Sequence, residues 1–181
     1  MSETEVPVII SGAGPNGLML ACELALAGVR PVVLERLPGP SDEPKANGMV
    51  GQVIRMLDMR GLYQRFSGSD DPPKPLYEWI FSGMSVPLFG MPDNPMYALM
   101  MSQPRLVRML ADRALELGVD VRWGHALIGM EPRSGGVSIS VSTPVLGIGG
   151  TLAALGAYAF AYNMWRTIDG PRMLHVMTHN R

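Results

Sequence analysis

Three glycines and one glutamate carry the first chemistry legible in this 181-residue chain. Gly12, Gly14 and Gly17 stand in the pattern Gly-x-Gly-x-x-Gly, with Ala13, Pro15 and Asn16 between them. Glu35 follows eighteen residues after Gly17. Gly12 lets the chain turn sharply, Gly14 keeps side-chain atoms out of the way of a phosphate, and Gly17 lets a helix and a strand pack closely. A helix opening at such a turn offers free N–H groups and partial positive charge to a pyrophosphate. A carboxylate at the end of the following strand accepts hydrogen bonds from a ribose hydroxyl pair and repels a 2′-phosphate, which disfavours NADP at this site. The chemistry implied is dinucleotide binding. A glycine turn that binds nothing is the competing reading, and the elements on either side weigh against it.

Those elements are a strand, a helix and a second strand. Val6 to Ser11 is a short apolar run that reads as a strand buried on both faces. Leu18 to Leu26 is rich in Leu and Ala and ends near Gly28, as a capped helix does. Pro31 to Glu35 reads as another buried strand, giving a βαβ unit with parallel strands. Further along, helices are expected over Val50–Arg60 and Pro104–Leu117, and a strand over Val119–Trp123. Ala126–Met130 and Val137–Val141 are expected to pair antiparallel about Ser134-Gly135-Gly136. Tyr77–Phe89 reads as one or two weak strands broken by Gly83 and Pro87. The fold class expected is α/β: a Rossmann-like βαβ unit with a parallel sheet, incomplete, plus a hydrophobic C-terminal helix.

Composition narrows the partners. Fifteen basic and sixteen acidic residues leave a net charge of −1, so no electrostatic case exists for nucleic acid. The single cysteine, Cys22, lies in the apolar helix and is expected to be buried and inert. His175 and His179 have metal-ligand spacing, but no acidic residue nearby completes a site. A frayed polar tail is the expectation there, and no metal is expected. No Ser/His/Asp set or paired carboxylates stand out, so catalytic residues are left unassigned. The acidic start, Ser2-Glu3-Thr4-Glu5, is unlike a secretory signal, which favours the cytoplasm.

Both FAD and NAD use such a turn, and here several segments in order carry a resemblance. Ser11-Gly12-Ala13-Gly14-Pro15-Asn16-Gly17-Leu18-Met19-Leu20-Ala21 resembles the opening of the class A flavoprotein monooxygenases, the family of the aromatic hydroxylases that act with FAD. Leu34-Glu35-Arg36, Lys45-Ala46-Asn47-Gly48-Met49, Ile54 to Leu62, Ser102-Gln103-Pro104 and Gly118 to Gly124 follow in the family's order, across residues 5–142. The resemblance implies that residues 12–17 hold the FAD pyrophosphate and Glu35 the adenosine ribose, with Arg36 beside it. Lys45 replaces the family's usual arginine near the phosphates, keeping the charge without the bidentate fork. Gln103 would contact the ribityl and phosphate region, and the Leu127 backbone the adenine. The activity implied is hydroxylation of a small aromatic or phenolic substrate with O2, NADPH or NADH being the transient reductant. On residues alone, Arg36 and Lys45 also read as solvated loop charges, and Gln103 as a helix-start residue. An NAD-binding module without flavin remains the alternative.

The resemblance stops after the Val137–Val141 strand. The expected organisation is a partial FAD-binding domain over 1–143, a hydrophobic helix over 144–166 and a polar tail over 167–181. Activity is expected to be low or nil because the segments that surround the reactive ring in the family have no counterpart. Val145 to Trp165 holds no charged residue, and as a helix of ~1.5 Å per residue it is long enough to cross a bilayer. Membrane association through 145–165, a buried helix and an unrelated tail are the three readings of this block. Phe160 to Thr167 is also similar to the last membrane helix of haem-copper oxidase subunit I, without that family's metal-binding histidines.

Overall fold

The computed structural model describes residues 3–143 and 173–179, which divide into two compact units. Of the described residues, 3–42, 107–143 and 173–179 fall in the first and 43–106 in the second. The apolar block 145–165, with its expected helix and membrane readings, lies outside the described residues.

In the first unit, β1 (Glu3–Val6) and β2 (Val8–Ser11) divide the apolar run expected as one strand. Helix α1 (Pro15–Leu26) starts three residues earlier than its apolar run, because Pro15 has the φ and the missing N–H that suit a first turn. β3 (Pro31–Glu35) matches its expected bounds. Strands β2, β3 and β8 (Asp120–Trp123) form a three-stranded parallel sheet in the order β2-β3-β8. One face of that sheet meets α1, where Ile10 lies under Gly17 and where Leu18, Ala21 and Cys22 are buried. The other face places Ile9, Val32 and Leu34 against Val137, Ile139 and Val141 in one apolar cluster.

Those last residues belong to β10 (Gly136–Ser142), which pairs antiparallel with β9 (Ala126–Arg133). The Val-Ser-Ile-Ser-Val alternation thus serves its usual purpose, turning every second residue to the core. One strand was not anticipated. Residues Met173–His179 form β11, parallel to β10 and antiparallel to β1, in a sheet of order β1-β11-β10-β9. His175 and His179 therefore stand in a strand instead of a frayed tail, and no acidic, histidine or cysteine cluster suited to a metal occurs among the described residues. β1 and β10 flank β11 on either side and supply its ladder.

Burial pushes the Cys22 thiol up to about 11, so it is protonated and inert at neutral pH, as its apolar surroundings led us to expect. Its Sγ lies 3.9 Å from the Leu110 carbonyl oxygen of α4 (Gln103–Glu116).

The second unit contains α2 (Val53–Met59), α3 (Tyr63–Ser67) and two small antiparallel pairs. β4 (Gly48–Val50) pairs with β7 (Ala98–Met100), and β5 (Glu78–Phe81) with β6 (Met84–Pro87). Ile54, Leu57, Phe66 and Leu99 are buried in this unit. The short elements β4, β7 and α3 had no periodic signal, since three to five residues are too few to display one.

Candidate dinucleotide site

The carboxyl ends of β2, β3 and β8 lie side by side, which is where open parallel sheets bind ligands. Each end is tied to its neighbour through the backbone. The Gly12 N–H donates to the Leu34 carbonyl at 2.7 Å, the Gly124 N–H to Leu37 at 2.8 Å, and the His125 N–H to Glu35 at 2.8 Å.

The glycine turn sits between β2 and α1. Gly12 has φ +109°, a conformation that only glycine adopts without strain. Gly14 is the residue preceding the helix, and no side chain caps the first turn. The N-terminal N–H groups of a helix have no carbonyl partners within it, so they are left for a ligand. An ideal Cβ at Gly14 would meet nothing within 4 Å, so the backbone there faces open space. At Gly17 the reverse holds: a Cβ would come within 2.0 Å of the Gly12 carbonyl oxygen. The same residue type thus serves ligand approach at one position and close packing at the other.

Glu35 completes the arrangement. Its Oε2 accepts from the Ala13 N–H at 2.9 Å, and its Oε1 accepts from the Leu37 N–H at 2.9 Å. The carboxylate therefore stands at the glycine turn, although 22 residues separate Glu35 from Ala13 in sequence. Arg36, next in the chain, is exposed, as is Asn16. Leu127, on β9, is half-buried against the Ile9 and Val32 cluster and pairs with Val141.

Lys45 and Gln103 belong to the second unit, where the structure brings their segments together. The Gln103 N–H donates to the Ala46 carbonyl at 2.8 Å, and the Met101 N–H to Asn47 at 3.2 Å. Lys45 is exposed, 3.7 Å from a carboxylate oxygen of Glu43. Gln103 is the first residue of α4, so the helix-start reading of this residue holds geometrically. His125 and Leu37, which anchor the end of β3, were missed. His125 lies one residue beyond the run Gly118–Gly124 that carried the resemblance, and a backbone donor leaves no signature in a sequence.

The residues present suit a dinucleotide carrying a pyrophosphate: uncapped helix amides, an open glycine backbone and an adjacent carboxylate. Comparison with known proteins agrees. The model of the FAD binding domain family matches residues 5–154. The chain is 48% identical over 140 residues to the 12-dehydrotetracycline 5-monooxygenase/anhydrotetracycline 6-monooxygenase of Streptomyces rimosus, covering 76% of this chain and 27% of that protein. It is 34% identical over 136 residues to a rifampicin monooxygenase of Streptomyces venezuelae, covering 75% of this chain and 28% of the relative. Among solved structures, the anhydrotetracycline hydroxylase OxyS of Streptomyces rimosus aligns with a TM-score of 0.67 and 37% identity, over 97% of this chain and 31% of that one. The chain thus spans about 30% or less of the length of the proteins it matches.

Proposed function

The chain belongs to the FAD binding domain family, and on that premise we propose that it holds FAD through the 12–17 turn and Glu35, as the N-terminal part of a flavin-dependent aromatic monooxygenase. The observation that carries this reading is the bond from the Ala13 N–H to the Glu35 carboxylate. It sets a carboxylate able to accept from a ribose beside the turn that would hold the pyrophosphate.

When bound, FAD supplies hydride acceptance and oxygen activation. The chain's own residues bind and orient. By family resemblance we assign the turn Gly12, Ala13, Gly14, Pro15, Asn16 and Gly17 to the phosphates, with Gly14 as the open point of its backbone. Glu35 accepts from the ribose, and Arg36 adds positive charge nearby. We assign Lys45, Gln103 and the Leu127 backbone to the same cofactor by family resemblance. A lysine at position 45 offers a point charge, which holds a phosphate less specifically than a guanidinium does. Reduction by NADPH or NADH and an aromatic or phenolic substrate complete the proposal. The relatives' names, which specify anhydrotetracycline and rifampicin, support a polycyclic phenolic class. Binding of the nucleotide end of FAD is proposed for this segment, and hydroxylation for a whole enzyme of the relatives' length, of which it spans under a third.

Among the described residues, no helix is long and apolar enough to cross a membrane.

Titration of the purified chain with FAD, followed by visible absorbance and flavin fluorescence, tests the central reading. Stoichiometric flavin binding is the expected outcome. A colourless protein that ignores FAD and binds NADH would replace it with the NAD module.

A further inference from the structure

The Glu35 carboxylate makes more bonds than a sugar ligand needs. One oxygen holds the Ala13 N–H and the other the Leu37 N–H, both at 2.9 Å. Its backbone carbonyl meanwhile accepts from His125. Ala13 is 3% exposed, so its amide has no access to water as a substitute partner. It directly precedes Gly14, whose backbone faces open space at the start of α1. A carboxylate offers about four acceptor sites, so two bonds to the protein leave roughly one on each oxygen for a ribose diol.

We propose that Glu35 is a positioning residue for the phosphate turn as well as a ribose acceptor: its Oε2 holds the Ala13 amide and thereby sets the direction of the neighbouring backbone N–H groups. The bond crosses from β3 to the β2–α1 turn, and a charge-assisted bond of this kind is among the stronger ones a backbone amide makes. Removing the carboxylate then weakens recognition of phosphates that Glu35 does not touch. The ligand arm of this inference rests on the dinucleotide reading above; the arm concerning the Ala13 amide does not.

The test uses two probes, ADP and adenosine, whose binding is measured by calorimetry with the wild-type chain, Glu35→Gln and Glu35→Asp. The glutamine has one acceptor oxygen and an amide NH2 donor, so it cannot hold Ala13 and Leu37 on separate oxygens as the carboxylate does. The expected result is that Glu35→Gln weakens ADP ~tenfold more than it weakens adenosine. Equal weakening of both probes would mean that Glu35 acts on the ribose alone, and would overturn the proposal. Amide exchange supplies the second readout, without any ligand. Ala13 is expected to be protected in the wild-type chain and to exchange at least ~tenfold faster in either variant, with Val33 of the core unchanged. An unprotected Ala13 in the wild-type chain overturns the proposal even if neither variant folds. If the wild-type chain binds neither ADP nor FAD, the flavin reading falls while the exchange result still decides the role of Glu35.

Discussion

Two tight turns in this chain each depend on glycine, one through dihedral angle alone and the other through close packing as well. The 12–17 turn is crowded: Gly17 has no room for a methyl group, and the turn is bonded to β3 through Leu34 and Glu35. The β5–β6 turn at Ser82-Gly83 is open. Both of its central residues have positive φ, 50° and 82°, as a two-residue hairpin demands, and nothing lies within 4 Å of a Cβ at Gly83. The surroundings differ as much. Around the first turn the apolar residues are buried in a core between layers. On the ribbon, the register sets Trp79 opposite Val86 and Phe81 opposite Met84, so all four share one face. Phe81 and Met84 are 66% and 65% exposed. The other face carries Glu78 and Ser85, joined by a 2.9 Å hydrogen bond. A glycine can thus be required by packing, as Gly17 is, or by dihedral angle, as Gly12 and Gly83 are.

Substitutions should separate the two kinds. Gly17→Ala is expected to cost about 3 kcal/mol or more in urea unfolding, because backbone must move to admit the methyl group. A variant as stable as the wild type would show that the close approach does not hold in solution. Gly14→Ala comes next and acts on binding: unfolding stays within ~0.5 kcal/mol of wild type while FAD binds ~tenfold more weakly. An unchanged dissociation constant there would place the pyrophosphate elsewhere. For Gly83→Ala we expect a loss of about 1 kcal/mol, from φ alone. Local exchange or proteolysis of the 78–87 ribbon would report it, and a loss as large as that of Gly17→Ala would erase the distinction between the turns. Smallest is Phe81→Glu, within ~0.5 kcal/mol by the same urea measurement; a cost of several kcal/mol would reveal a buried ribbon.

Much of the first unit was legible beforehand. Pro31–Glu35, the Val137–Val141 alternation and the 104–117 stripe each carry a period long enough, or an apolar run sharp enough, to declare their element. The glycine fingerprint announced its own turn because its chemistry requires particular residue types at particular spacings. The second unit was harder. Met49 and Leu99 become strand partners only through the register of β4 with β7, about fifty residues apart. Strand β11 was read as a tail because its partners, β1 and β10, are distant in the chain and supply the ladder that defines it.

Local patterns in the amino acids settled where strand, turn and helix would fall around residues 12 to 35, and which ligand chemistry that turn invites. Folding decided which groups meet. That Ala13 donates to Glu35, that His125 braces the same residue, and that Cys22 is shut away beside α4 all follow from strands and helices brought together across long separations. Hydrogen bonds and burial depend on distances in space, and a linear order of residues encodes those only through the complete fold.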